Sequence, residues 1–98
     1  MVGNRADATP EPDLAKQTAL AFENLRGVLK AADATFDDVV DLTFFLIDPD
    51  ASLGFVLDGM KTAFPGEPKP NITCIGVNWL AGFQVEIKVI ARLPRAAS

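Results

Sequence analysis

The closing third of the chain constrains the fold most, because two strand-type segments follow each other there with only a short turn between them. A proline-rich stretch at residues 68–70 leads into an apolar run at residues 72–77. After a turn at residues 80–82, a second apolar run covers residues 83–93. Short apolar runs bounded by turn residues are typical of β-strands. We therefore predict that the chain ends in a β-hairpin.

The segment from Leu14 onward is predicted to be an amphipathic helix. Asp13 is a suitable N-cap, since its carboxylate can accept from the first free backbone N–H groups. The apolar residues that follow fall on one helical face. They are Leu14, Ala21, Phe22, Leu25, Val28 and Leu29. We place the end of this helix near residues 31–32.

Residues 39–47 are predicted to form a strand with two unlike faces. Alternation along a strand puts Val40, Leu42, Phe44 and Leu46 on one face, and Asp41, Thr43 and Phe45 on the other. The second face mixes polar and apolar side chains. Such a face indicates contact with another surface that is partly polar, rather than with open water.

A second helix is predicted after a break at residues 48–51, where Asp and Pro turn the chain. Ser52 is the predicted N-cap, and Pro65 with Gly66 ends the helix. Its apolar stripe is Leu53, Val56, Leu57, Met60 and Phe64. The order helix, strand, helix, strand, strand indicates an α+β fold. Both helices can cover one face of a sheet, which leaves the opposite face in need of cover.

The length, charge and cysteine content limit the class of protein to which this chain can belong. A length of 98 residues fits a single domain, residues 1–98. The net charge of −4, the pI of about 4.6 and the lack of a Lys/Arg cluster argue against nucleic acid as a partner. Every apolar run is shorter than the roughly 18 residues that suggest a membrane span. A single cysteine cannot form an internal disulfide and fits a reducing, cytoplasmic location.

Composition also limits the chemistry. The chain contains no histidine, which removes the commonest general base and the commonest metal ligand. No phosphate-binding motif is present, and the aspartates at residues 37–38 and 48–50 are typical of caps and turns. We therefore expect neither a metal site nor a cofactor.

Two side chains stand out within the closing strands. Glu86 shares one face of the last strand with Lys88 and Arg92, a pattern that fits a solvated strand face and a catalytic carboxylate alike. Cys74 lies inside an apolar strand, where packing in the core is the default role and a reactive thiol is the alternative.

Five segments together resemble the RidA (YjgF) family of small enamine/imine deaminases. They are residues 17–25, 38–46, 68–70, 74–77 and 85–91, and their order and spacing cover nearly the whole chain. The resemblance implies a chorismate-mutase-like α+β fold. It also implies a homotrimer that binds a small-molecule ligand in clefts between subunits. In this family a glutamate that matches Glu86 positions the attacking water.

Two features depart from the family pattern. The family normally opens with a β-hairpin ending in Ser-Gly, and residues 1–3 match only the tail of it, so we expect that hairpin to be largely missing. Active deaminases carry Pro-x-Arg-Ser/Thr, whose arginine grips a substrate carboxylate in a bidentate pair. Here Ile72 stands at the arginine position. The implied ligand contacts are Asn71, Ile72, Thr73 and Cys74, with Glu86 as the catalytic residue.

Two functions from different classes follow. The first is a RidA-like hydrolase that acts on imines or enamines in an intersubunit cleft. The second is a non-catalytic ligand-binding or scaffold trimer that keeps the fold without the deaminase chemistry. An RNA-cleaving or translation-inhibiting protein is disfavoured by the acidic pI and by the absence of histidine.

Overall fold

The computed structural model describes residues 1–93, and two helices and three strands dominate this part of the chain. The elements are α1 (Leu14–Ala31), a 3-10 turn (Phe36–Asp38), β1 (Val39–Leu46), α2 (Pro49–Ala63), β2 (Asn71–Gly76) and β3 (Val85–Ala91). The predicted order and the α+β class are therefore confirmed.

The strands form a mixed sheet in the order β2-β1-β3. β1 pairs with β2 in parallel and with β3 antiparallel. The predicted closing hairpin is wrong. Its two strands, β2 and β3, do not pair with each other because β1 lies between them. The loop at residues 77–84 instead straddles the end of β1. Val77 N–H donates to Leu46 O at 2.9 Å on one side, and Ile47 N–H donates to Gln84 O at 3.1 Å on the other.

Helix α1 begins where the sequence predicts. Lys16 N–H donates to the Asp13 carboxylate at 2.9 Å, which satisfies one free donor of the first turn. Its buried face also carries two polar residues, Gln17 and Thr18. The Gln17 amide donates to Glu11 O and accepts from Gln84 N–H, each at 2.7 Å. This side chain therefore links α1 to the start of β3.

Helix α2 begins earlier than predicted. Asp48 is the N-cap, with Ala51 N–H donating to its carboxylate at 3.3 Å, and Pro49 opens the first turn. Proline suits that position because its fixed φ matches a helix and its missing N–H would be unpaired there anyway. Ser52, the predicted cap, is instead buried inside the first turn. Leu53 and Leu57 are exposed, so the buried stripe is narrower than the sequence suggests.

The core lies between the helices and one face of the sheet. Leu42, Phe44 and Leu46 of β1 are fully buried there, as predicted, and pack with residues of α1, α2 and β3. Val40 was expected to join them and does not. A bulge between Val39 and Asp41 turns Val39 into the core and leaves Val40 exposed.

Candidate functional site

The strand register sorts the predicted site residues onto two faces of the sheet. On the face away from the helices, Glu86 lies opposite Phe45, and Thr73 lies beside Thr43. We call this surface the open face. It consists of Asp41, Thr43, Phe45, Asn71, Thr73, Ile75, Glu86, Lys88 and Ile90.

Ile72 and Cys74 lie on the opposite face. They align with Leu42 and Phe44, whose side chains enter the core. Glu86 is also separated from β2 by the width of β1, since two strand spacings amount to roughly 10 Å. Within one subunit the structure therefore brings Asn71, Thr73 and Glu86 to one surface and does not join Ile72 and Cys74 to them.

The Glu86 carboxylate is half-buried and has no ion pair within residues 1–93. Its backbone forms a bridge with Val2, and the Asn24 amide donates to Val2 O at 2.9 Å. The Met1 amino group lies near this carboxylate. Burial lowers the pKa of that amine, and the Glu86 charge acts in the opposite direction. Because it forms no ion pair within residues 1–93, the Glu86 carboxylate retains free lone pairs for a water or a ligand.

A shallow cavity of about 360 Å³ wraps around the outer edge of β3 beside Glu86. Phe45 and Lys88 line it from the open face, and Leu25 and Val28 line it from α1. The cavity is mostly apolar around one carboxylate and one ammonium. A small organic molecule with a polar centre fits that chemistry.

Cys74 is exposed, so the default prediction that it packs in the core is wrong. The reason is that β2 is an edge strand and every one of its residues is exposed. Neighbouring atoms still remove some water from the sulfur, and this desolvation raises the pKa of the Cys74 thiol above its ordinary value. The thiol therefore stays protonated and is a poor nucleophile at neutral pH.

β2 and the loop after it carry exposed apolar side chains. Ile72 is 44% exposed and Ile75, on the other face of β2, is 41% exposed. Trp79, in the loop after β2, is 74% exposed. Sequence reasoning missed Trp79, although a tryptophan inside a turn segment next to Asn78 is a detectable signal. An exposed aromatic ring in the loop after β2 is available for contact with an apolar molecule.

Two kinds of feature are not found in the part of the chain that the structure describes. None of its helices is both long enough and apolar enough to cross a membrane. No three histidine, cysteine, aspartate or glutamate side chains within residues 1–93 come together as ligands for a metal ion.

Comparison with known proteins gives a consistent result over nearly the whole chain. The family model described as Endoribonuclease L-PSP matches residues 2–93. The RutC family protein YjgH of Escherichia coli (strain K12) is 50% identical over 93 residues, which make up 95% of this chain and 71% of YjgH.

Solved structures are similar as well. A structure of protein YJGH aligns with a TM-score of 0.92 at 49% identity, over 97% of this chain and 73% of that one. A RidA protein from the Antarctic bacterium Psychrobacter sp. PAMC 21119 aligns with a TM-score of 0.86 over 95% of this chain and 76% of that one. Its identity is 23%, so this second likeness concerns the fold alone.

Proposed function

The chain belongs to the RidA (YjgF) family, and on that premise we propose that it binds a small metabolite in clefts between the subunits of a homotrimer. Within each cleft, Glu86 orients a water molecule for the hydrolysis of an imine or enamine. The observation that supports this most directly is the position of Glu86, which is half-buried beside a cavity and free of an ion pair in residues 1–93.

Assembly is supported by the apolar surface that one subunit leaves uncovered. Ile75 and Ile90 are exposed on the open face, and Phe45 is only half-buried between them. β2 also presents a free edge with unpaired backbone groups. Apolar patches and free strand edges of this kind are usually covered by another chain. In a trimer the open faces would pack together and the β2 edge would border the cleft.

The chemical step needs few groups. Water adds to the carbon of the C=N bond while Glu86 accepts one of its protons. Glu86 passes this proton to the nitrogen, the new hydroxyl group gives up the second proton of the water, and the nitrogen leaves as ammonia while the carbon becomes a carbonyl. Every second residue of an edge strand turns its N–H and C=O away from the neighbouring strand, so the stretch around Thr73 and Cys74 offers backbone groups on the free edge of β2 that are suited to hold the substrate in place during these transfers.

The substrate class follows from Ile72. An aliphatic side chain cannot form the bidentate hydrogen bonds by which arginine holds a carboxylate. Ile72 instead presents an apolar side chain, 44% exposed, among the proposed contacts of β2. We propose that the preferred substrates are imines without a carboxylate next to the reacting carbon.

A second candidate function is supported by the same residue. Without a charged anchor, the cleft could bind a ligand without turning it over, so a ligand-binding or scaffold trimer is the alternative. An RNA substrate, which the name of the matching family model suggests, is disfavoured by the net charge of −4 and by the absence of histidine.

Glu86→Gln tests the proposal, because the amide keeps the shape of the side chain and removes the carboxylate base. The assay follows the hydrolysis of an apolar N–H imine to its carbonyl compound and ammonia, with wild type and, as the matched control, Glu23→Gln at an exposed carboxylate of α1. We expect Glu86→Gln to lose about 10²-fold or more in rate, the typical contribution of a positioned base. Equal rates for Glu86→Gln and wild type would refute the role of Glu86. Ligand binding without turnover by wild type would favour the binding protein.

A further inference from the structure

A second cavity lies on the helix side of the molecule. It is a groove of about 270 Å³ between α1 and α2, and no residue of β2 or β3 lines it. Its floor is the ring of Phe22, which packs on Phe44 of the core with 5.9 Å between ring centroids. The groove is therefore separate from Glu86 and from the open face, and the proposed trimer contacts leave it accessible.

Small residues keep the groove open. Ala15 and Ala19 of α1 face Gly59 and Ala63 of α2. A Cβ atom at Gly59 would lie 2.3 Å from the Phe22 ring, so only glycine allows the ring to rest against this helix. The resulting space exceeds the roughly 150 Å³ apolar cavity that is known to hold benzene. One aromatic ring with a short polar extension fits it.

The walls of the groove are aromatic, and one positive and one negative side chain line it. Phe36 and Phe55 form the sides. The Arg26 guanidinium of α1 lies 5.1 Å from the centroid of the Phe36 ring, which holds the cation in place. Asp58 lines the groove from α2 and carries the charge opposite to that of Arg26.

Both charges have capacity for a ligand. Arg26 contacts Glu23 through Nε at 3.4 Å, and within residues 1–93 its terminal nitrogens make no hydrogen bond. The Asp58 carboxylate has no ion pair in that same stretch and is more than 4.0 Å from the Arg26 nitrogens. A cation and an anion thus face one aromatic groove from two helices without neutralising each other.

We propose that this groove binds a zwitterionic amino acid with an aromatic side chain. The ligand carboxylate lies at Arg26, the ammonium group lies at Asp58, and the ring fills the space above Phe22 between Phe36 and Phe55. A ligand with a single charge would make only one of these two contacts.

Three probes with the same ring test this assignment: L-phenylalanine, phenethylamine and 3-phenylpropionate. Each is titrated into the full-length ¹⁵N-labelled protein while the backbone amide shifts are followed by NMR. We expect L-phenylalanine to bind best and to shift the amides of Gly59 and Ala63 most. Asp58→Asn and Arg26→Gln should each weaken L-phenylalanine by about fivefold, the value of one exposed charge pair. Asp58→Asn should not weaken 3-phenylpropionate and Arg26→Gln should not weaken phenethylamine, because each variant removes a charge of the same sign as the probe.

Ala19→Phe is the blocking variant, because it fills an exposed position of the groove and removes neither charge. It should abolish the shifts at Gly59 while the imine hydrolysis rate stays at the wild-type value. Equal affinity for all three probes would overturn the proposal, as would L-phenylalanine shifts confined to β2. Shifts at β2 alone would place the ligand in the proposed cleft, so this outcome is separable from a failure of the deaminase function.

Discussion

Phe45 and Glu86 face each other across the pairing of β1 with β3, on the side of the sheet that neither helix covers. A large aromatic ring and a carboxylate thus share a surface that one subunit leaves half-exposed. Covering the ring by another chain would also withdraw water from the carboxylate. Assembly and chemistry are for this reason expected to depend on each other.

The oligomeric state is the first prediction. Light scattering in dilute buffer should show a trimer, and Ile75→Asp should convert it to smaller species because a charge would be buried in the packed open faces. Leu57→Asp is a matched control, since Leu57 is 47% exposed on α2, against 41% for Ile75 on the sheet. A wild-type protein that is monomeric, or an Ile75→Asp variant that stays trimeric, would contradict the assignment of the open face.

Restoring the missing guanidinium is the second prediction. Ile72→Arg should raise the hydrolysis of 2-imino acids by about tenfold to a hundredfold, the equivalent of one charge-assisted contact of about 1.5–3 kcal/mol. Ile72→Met controls for the longer side chain without the charge. If both variants match wild type, Ile72 does not lie near the substrate carboxylate and the proposed contact is wrong.

The third prediction concerns the pH dependence of Cys74. Desolvation raises the pKa of this thiol above that of a free cysteine, so the thiolate forms only at higher pH. Alkylation by iodoacetamide should therefore be slower than for a cysteine peptide at neutral pH, and its pH midpoint should lie above the midpoint of that peptide. A midpoint below that value would indicate a positive charge near the sulfur and would reopen a nucleophilic role.

Two glycines provide a matched pair for the packing of the helices. Gly59→Ala places a Cβ atom 2.3 Å from the Phe22 ring, and such overpacking should lower the free energy of unfolding by about 1–3 kcal/mol. Gly27→Ala meets nothing within 4 Å in the same protein and should raise it by up to about 1 kcal/mol through helix propensity. Chemical denaturation of both variants measures the difference. A neutral Gly59→Ala variant would mean that Phe22 can move aside.

Local sequence patterns predicted the helices and strands better than they predicted which strands pair with each other. The Asp13 cap was confirmed, and so was the apolar face of α1 except at Val28, which is 52% exposed. Both predictions depend on residues a few positions apart. The closing hairpin was not confirmed. A turn at residues 80–82 is compatible with β2 and β3 pairing directly and also with β1 lying between them. Val40 was misplaced by a bulge, and because Val39 and Val40 are both valines the alternation does not show which of the two enters the core.

The candidate site was harder to predict from the sequence than the helices and strands were. Glu86 could be singled out because a carboxylate among aliphatic residues is conspicuous. Ile72 and Cys74 lie on the other face of the sheet from Glu86. This placement depends on the strand register, which is set by the pairing of β2 and β3 with β1 and cannot be read from the sequence of either strand alone.

The central place of β1 has a consequence for synthesis of the protein. β1 leaves the ribosome before either of its partners, with Leu42, Phe44 and Leu46 on one side and two unpaired edges. β2 can close one edge once α2 has been made, but the other edge waits for β3 at the far end of the described chain. Until then the nascent protein exposes the kind of apolar, unpaired strand that aggregates. A message that stops before Val85 would release a chain that can never close this edge.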